Sequence, residues 1–178
     1  DEPAARARLG ADSLAAQRGR LIHRLLQTLP DLAPKRREAA CRRFLARPAL
    51  ALDTAARDDI AGACLAVLNA AEFAPVFGPD SRAEVSLAGR IGDVVLSGQV
   101  DRLAVTAEAI LVVDYKTGRD PPDSPAATPV AYLRQMAAYR AALAEIYPDR
   151  VVRCALLWTD GPRLMALDAA LLDAHTPA

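Results

Sequence analysis

Two acidic residues and a lysine near the middle of the chain hold the most chemical potential for their spacing. Asp114, Tyr115 and Lys116 close the run from Ala109 to Lys116, in which Ile110, Leu111, Val112 and Val113 are continuously apolar. Such a run reads as a central strand covered on both faces. Side chains two apart in a strand point to one face, so the Asp114 carboxylate and the Lys116 ammonium lie side by side. Charges ending a buried strand are costly unless something pairs them or they serve a purpose. A further acid, Asp101, stands in Gly98-Gln99-Val100-Asp101-Arg102 on the preceding strand. A reversal centred on Ala107-Glu108 puts Asp101 and Asp114 equally far from the turn, a register that sets them beside each other unless a bulge intervenes. Two carboxylates meeting next to a lysine suit a hard divalent cation such as Mg²⁺, whose remaining positions are taken by water and phosphate oxygens. Arg102 is expected to hold a neighbouring carboxylate. There is no obvious Ser-His or Cys-His couple for covalent catalysis.

The elements that must position these groups follow from the periodicity. Apolar Leu14, Leu21, Ile22, Leu25, Leu26 and Leu29 recur at helical spacing from Ser13 until Pro30 ends the run. A second helix is expected from Pro34 to Leu45, with Lys35, Arg36, Arg37, Arg42 and Arg43 as a basic face. A third follows near Asp53 to Ala70, with Ile60, Cys64, Leu65 and Leu68 as its apolar stripe. Phe73, Pro75, Phe77, Gly78 and Pro79 mark the connection at which helical pattern gives way to strand pattern. Beyond it come a strand beginning at Glu84 to Leu87, a turn at Gly89 to Gly92, and a second strand through Val105. After the strand ending at Lys116, a Pro-rich loop runs from Gly118 to Pro129. A helix then reaches Tyr147, and strands follow at Val151 to Trp158 and Arg163 to Leu167. The order is that of an α/β layer architecture with a mixed sheet, divided into a helical region of about residues 1–80 and a core of about 81–178.

Bulk composition narrows the classes. The 178 residues are 52% hydrophobic and 25% charged, enough for a packed core and unlike a disordered tail. Lys+Arg and Asp+Glu are both 22, so any hold on nucleic acid must come from a local site. Cys41, Cys64 and Cys154 stand far apart with no CxxC pair, which fits buried thiols in a reducing cytoplasm better than zinc or disulfides. There is no apolar signal region and no stretch that would span a bilayer. The chain begins without Met and is expected to be a piece of something longer.

The motifs also resemble a known family. Gly98-Gln99-Val100-Asp101-Arg102 followed by Val112-Val113-Asp114-Tyr115-Lys116-Thr117-Gly118 is similar to the signature of the RecB-type branch of PD-(D/E)XK nucleases. Gly19-Arg20-Leu21-Ile22-His23-Arg24-Leu25-Leu26 resembles that branch's upstream histidine helix, Ala83-Glu84-Val85 its first core strand, and Tyr132 to Tyr139 the helix with Gln135 and Tyr139 four apart. The likeness is greatest to the C-terminal nuclease domains of AddA subunits of helicase-nucleases. It implies a restriction-endonuclease-like fold and Mg²⁺-dependent hydrolysis of DNA, with Mn²⁺ as substitute. Asp101, Asp114, His23 and the backbone carbonyl of Tyr115 would be metal ligands, with Glu84 a further one. Lys116 would position the attacking water and offset charge on the phosphate, and Gln135 and Tyr139 would orient Lys116 or a phosphate. Iron-sulfur members carry a cysteine pattern that Cys41, Cys64 and Cys154 do not reproduce, so no cluster is expected. The resemblance further implies single-stranded DNA at the site, an ATP-driven helicase portion of the same parent chain, an AddB-like partner subunit, and a nucleoid-associated role in double-strand-break repair. The alternatives are an inactive nuclease-like scaffold and a stand-alone exonuclease.

Overall fold

The computed structural model describes residues 2–118 and 120–176, the side chains of 2–12 and of Val94 excepted. The chain divides into two compact units, residues 1–69 and 70–178.

The first unit is helical: α1 spans Glu2–Thr28, α2 Pro34–Leu45 and α3 Thr54–Asn69, with a 3-10 turn at Pro48–Leu50. Both α1 and α2 pack on α3. Leu21, Ile22, Leu25, Leu26 and Leu29 are buried as their spacing predicts, whereas Leu14 is 67% exposed. Among the described side chains, Gln17 donates to the Leu50 carbonyl and Arg18 pairs with Asp59 at 2.6 Å, tying α1 to its neighbours. The helix also starts well before Ser13, through an Ala- and Arg-rich stretch that favours helix without an apolar stripe.

The second unit is a five-stranded mixed sheet in the order β1-β2-β3-β4-β5, with β1 at Ser81–Ile91, β2 Val94–Val105, β3 Ala109–Lys116, β4 Val151–Trp158 and β5 Arg163–Leu167. β1 to β3 form an antiparallel meander, β4 runs parallel to β3, and β5 returns antiparallel at the edge. Helix α4, Val130–Ile146, makes the β3-to-β4 crossover that a parallel pair requires. It covers one face, where Leu133, Met136 and Leu143 bury against Leu103, Val112 and Leu156. The turn expected over Gly89 to Gly92 is shorter: Gly89 lies within β1, and Gly92, at φ 55°, opens a two-residue reversal before Val94. The connection after α3 is itself a 3-10 segment, Ala71–Phe77, with Phe73 and Val76 buried. A short helix α5, Ala169–Asp173, seats Leu172 in the sheet's core.

All three cysteines are free and buried. Burial pushes the Cys41 thiol up to about 11 and the Cys154 thiol up to about 12, and raises Cys64 as well. They pack as small apolar groups. Among the described residues no single helix is long and apolar enough to cross a membrane.

Candidate active site

The acids are gathered where β2 parts from β3. The β2–β3 ladder runs from Val105↔Ile110 to Arg102↔Val113, so the next step of the register sets Asp101 opposite Asp114. At that step the main-chain pairing gives way to a side chain: the Tyr115 N–H donates to Asp101 Oδ2 at 2.7 Å. On the other flank, β1 and β2 pair at Ala83↔Arg102 and Val85↔Val100, either side of Glu84 and Asp101. Glu84 takes a left-handed φ of 53°, a conformation that costs a non-glycine residue on the order of 1 kcal/mol or more. β2 changes phase at the same level. Val100 and Leu103 both belong to the core beneath α4 although they are an odd three positions apart, so the in–out alternation slips by one between them. The outcome is that carboxylate oxygens of Glu84 and Asp101 lie within 4.8 Å of each other, and both residues are half-buried.

Asp114 and Lys116 share a face of β3, as their spacing predicts. Lys116 Nζ is 2.6 Å from Asp114 Oδ2, and the two side chains are 12% and 6% exposed. Helix α4 supplies the rest of the lysine's surroundings. Gln135 Oε1 accepts from Lys116 Nζ at 3.4 Å, and the ammonium stands 3.7 Å above the Tyr132 ring centroid. Tyr132 in turn lies against Trp158, ring centroids 6.4 Å apart. Gln135 Nε2 donates to the Tyr139 hydroxyl at 3.2 Å, and that hydroxyl donates to the Gln99 carbonyl at 3.0 Å. A continuous hydrogen-bonded line thus links β2 to Lys116 through two α4 side chains one helical turn apart. Tyr132 was not among the residues singled out for the site. The available signal was its position three before Gln135 on the same helix, which places both over Lys116.

Gly98 makes this line possible. A Cβ there would sit 2.8 Å from both Cε1 and the hydroxyl of Tyr139, closer than such atoms approach. Gly98→Ala is therefore expected to lose about 1–3 kcal/mol of stability through overpacking, measured by urea unfolding. Repeating the substitution in a Tyr139→Leu background removes the clashing atoms and should recover part of that loss. Equal losses in both backgrounds would sink the steric account.

The remaining predicted residues are placed as follows. The Tyr115 ring points to the other face of the sheet, 6.4 Å from Phe77, and burial holds its phenol far above the ordinary range. Only its backbone is available to the site. Arg102, expected to hold a neighbouring carboxylate, pairs with none among the described residues. The phase change turns it to the Tyr115 face, where Nε donates to Ser81 Oγ at 3.0 Å and the guanidinium lies 5.4 Å over Phe77. Only 3% exposed, it anchors the base of β2 instead. His23 is half-buried on α1 in the helical unit, between buried Ile22 and exposed Arg24. The donor set of the second unit, carboxylates and a nearby backbone carbonyl, consists of hard oxygens and fits a hard divalent cation.

A family profile described as the PD-(D/E)XK nuclease superfamily matches residues 4–170. No curated protein matches the chain. Among solved structures the chain is similar to SSO0001 at 16% identity and a TM-score of 0.36, over 85% of this chain and 70% of that one. It is also similar to protein VC1899 from Vibrio cholerae at 12% identity and a TM-score of 0.31, covering 82% of this chain and 47% of that one.

Proposed function

The chain belongs to the PD-(D/E)XK nuclease superfamily, and from that premise we propose that it hydrolyses DNA phosphodiester bonds with a divalent cation held at Asp101 and Asp114. What supports the reading is the register at the parting of β2 and β3, whose next step sets Asp101 opposite Asp114. Glu84 and Asp101 carboxylates lie within 4.8 Å of each other, and the Asp114–Lys116 pair closes at 2.6 Å. Asp101, Asp114, the Tyr115 carbonyl and Glu84 would hold the ion, Mg²⁺ or Mn²⁺, and the resemblance implies His23 as a further ligand. When bound, the ion polarises the scissile phosphodiester and lowers the pKa of coordinated water.

The chain's own groups do the rest. The Tyr115 N–H fixes the Asp101 carboxylate from behind, so that it need not reorganise to receive an ion. Lys116 keeps its ammonium between Asp114, Gln135 and the Tyr132 ring. There its charge can meet the negative charge that grows on phosphate oxygens in the transition state. Gln135 and Tyr139 hold that lysine to β2 and are positioning residues in this scheme. The finer reading, resting on the five ordered motifs, is a single nuclease domain of a larger helicase-nuclease. It would cut single-stranded DNA delivered by the helicase portion, beside an AddB-like subunit, in double-strand-break repair. Retention of Asp101, Asp114 and Lys116 together argues against an inactive scaffold.

The test is incubation of the chain with labelled single-stranded DNA and Mg²⁺ or Mn²⁺, alongside the Asp101→Ala/Lys116→Ala variant. Cleavage is expected with metal, none with chelator, and none by the variant. Equal cleavage by parent and variant would place the activity elsewhere.

A further inference from the structure

The formal charge of zero conceals a separation. Residues 1–69 carry 12 Lys+Arg against 8 Asp+Glu, a surplus of +4, whereas residues 70–178 carry 10 against 14, a deficit of −4. The surplus localises further. Helix α2, PKRREAACRRFL, has five basic residues and one acid, also +4, so the other residues of the helical unit balance at seven and seven. A single twelve-residue helix therefore accounts for the basic excess of its unit.

The three charges at the amino end do not steady the helix, unlike Arg42 and Arg43 in its last turn. The amino end of a helix bears partial positive charge, which favours acids in the first turn and disfavours bases by a few tenths of a kcal/mol to about 1 kcal/mol each. α2 has no acid in its first turn, and Lys35, Arg36 and Arg37 occupy that stretch. Nor are the charges uniformly neutralised. Arg42 pairs with Glu38 and Asp58, both at 3.1 Å, and Arg37 donates to the Pro30 and Leu32 carbonyls. Lys35, Arg36 and Arg43 are exposed and make no ion pair among the described residues. α2 buries Cys41 and Leu45, and Arg36 and Arg43 lie about half a turn round from that inner face. Seven residues apart, they align along the helix about 10 Å from each other, with only Ala39 and Ala40 of the outer face between them.

We propose that the outer face of α2 grips the sugar–phosphate backbone of single-stranded DNA through Lys35, Arg36 and Arg43. The inference rests on the reading that the chain acts on DNA, and it adds where a catalytic unit of net charge −4 obtains its hold on a polyanion. Exposed arginine forks and a lysine that make no ion pair among the described residues suit phosphate oxygens, and the small Ala39 and Ala40 between the arginines leave room for a backbone lying along them.

The test is the salt dependence of binding, read by fluorescence anisotropy with labelled oligothymidylate in the presence of EDTA, so that no cutting occurs. Each single-strand phosphate contact contributes a slope of about −0.7 in log K against log[salt]. The Lys35→Gln/Arg36→Gln/Arg43→Gln variant is expected to flatten that slope by about 2. This amounts to roughly 100-fold weaker binding at 0.1 M salt relative to 1 M. Its melting temperature should change little, because Lys35 and Arg36 oppose the helix dipole while Arg43, in the last turn, is favoured by it, and a purely structural role predicts a clear fall. Should that variant fold poorly, Lys35→Glu/Arg36→Glu provides the same readout with first-turn acids that favour the helix. A control of equal charge change in the other unit, Arg90→Gln/Arg140→Gln/Arg153→Gln, is expected to leave the slope unchanged. No binding by the parent at low salt, an unchanged slope in the α2 variants, or an equal change in the control overturns the grip. Cleavage of the same strand with Mg²⁺ is followed in parallel. Binding that depends on α2 without cleavage would retain the grip and remove the nuclease, whereas cleavage with α2-independent binding would do the opposite.

Discussion

Asp101→Asn is expected to lower metal-dependent DNA cleavage by at least about 1,000-fold, equivalent to roughly 4 kcal/mol of transition-state stabilisation, while changing stability by no more than about 1 kcal/mol. The two effects separate because Asp101 makes two kinds of contact. Its Oδ2 accepts the Tyr115 N–H at 2.7 Å, and an asparagine carbonyl can keep that bond, although a neutral acceptor makes a weaker one. Its charge, within 4.8 Å of the Glu84 carboxylate, is the part that attracts a cation, and an amide removes it. Relief of that like-charge pair also offsets some of the weaker hydrogen bond. Asp101→Ala removes the acceptor altogether and is expected to cost a further 1–3 kcal/mol or so. Thermal unfolding with and without Mn²⁺ provides a readout independent of cutting. The parent should gain melting temperature with added ion, since a ligand that binds only the folded state stabilises it, and the Asn variant should gain much less. Undiminished Mn²⁺ stabilisation in a variant that no longer cuts would remove Asp101 from the ligand set.

The register that brings Asp101 to Asp114 was legible because a short reversal leaves few ways to pair its flanks. Counting outward from Ala107-Glu108 gives the pairing that continues Arg102↔Val113. Four consecutive buried positions, Val112 to Tyr115, likewise match a strand covered on both faces. The phase change in β2 was not legible. Alternation is a local pattern, and the slip depends on Glu84 adopting a left-handed backbone that nothing in the residue type demands. That slip is also why Arg102 faces Ser81 instead of an acid. Gly98 offered a signal that went unused, since glycine inside a strand often marks a close approach by another group. What approaches is a ring from forty-odd residues later, and only the crossover through α4 brings it there. The short helix α5 lacks the length for a periodicity to declare itself.

Lys116→Met should be the most damaging single change to the fold of the catalytic unit, costing about 3–5 kcal/mol, the range for breaking a buried ion pair from one side. The pair is well withdrawn from water, at 12% and 6% side-chain exposure, so the Asp114 charge would lose an ammonium 2.6 Å away with little solvent to replace it. Cleavage should be lost as well, because the ammonium placed to meet the phosphate charge would be gone. Those two losses have different origins, and a double-mutant cycle separates them. Asp114→Asn in the Lys116→Met background removes the charge that lost its ammonium, so part of the lost stability should return on urea unfolding. Activity should not return, since that variant lacks both a metal carboxylate and the lysine. If the double variant is as unstable as Lys116→Met alone, the lysine stabilises through its contacts with Gln135 and Tyr132 and not through its charge on Asp114. The burial that makes Lys116 useful against a phosphate is, on this account, the same burial that makes the fold depend on it.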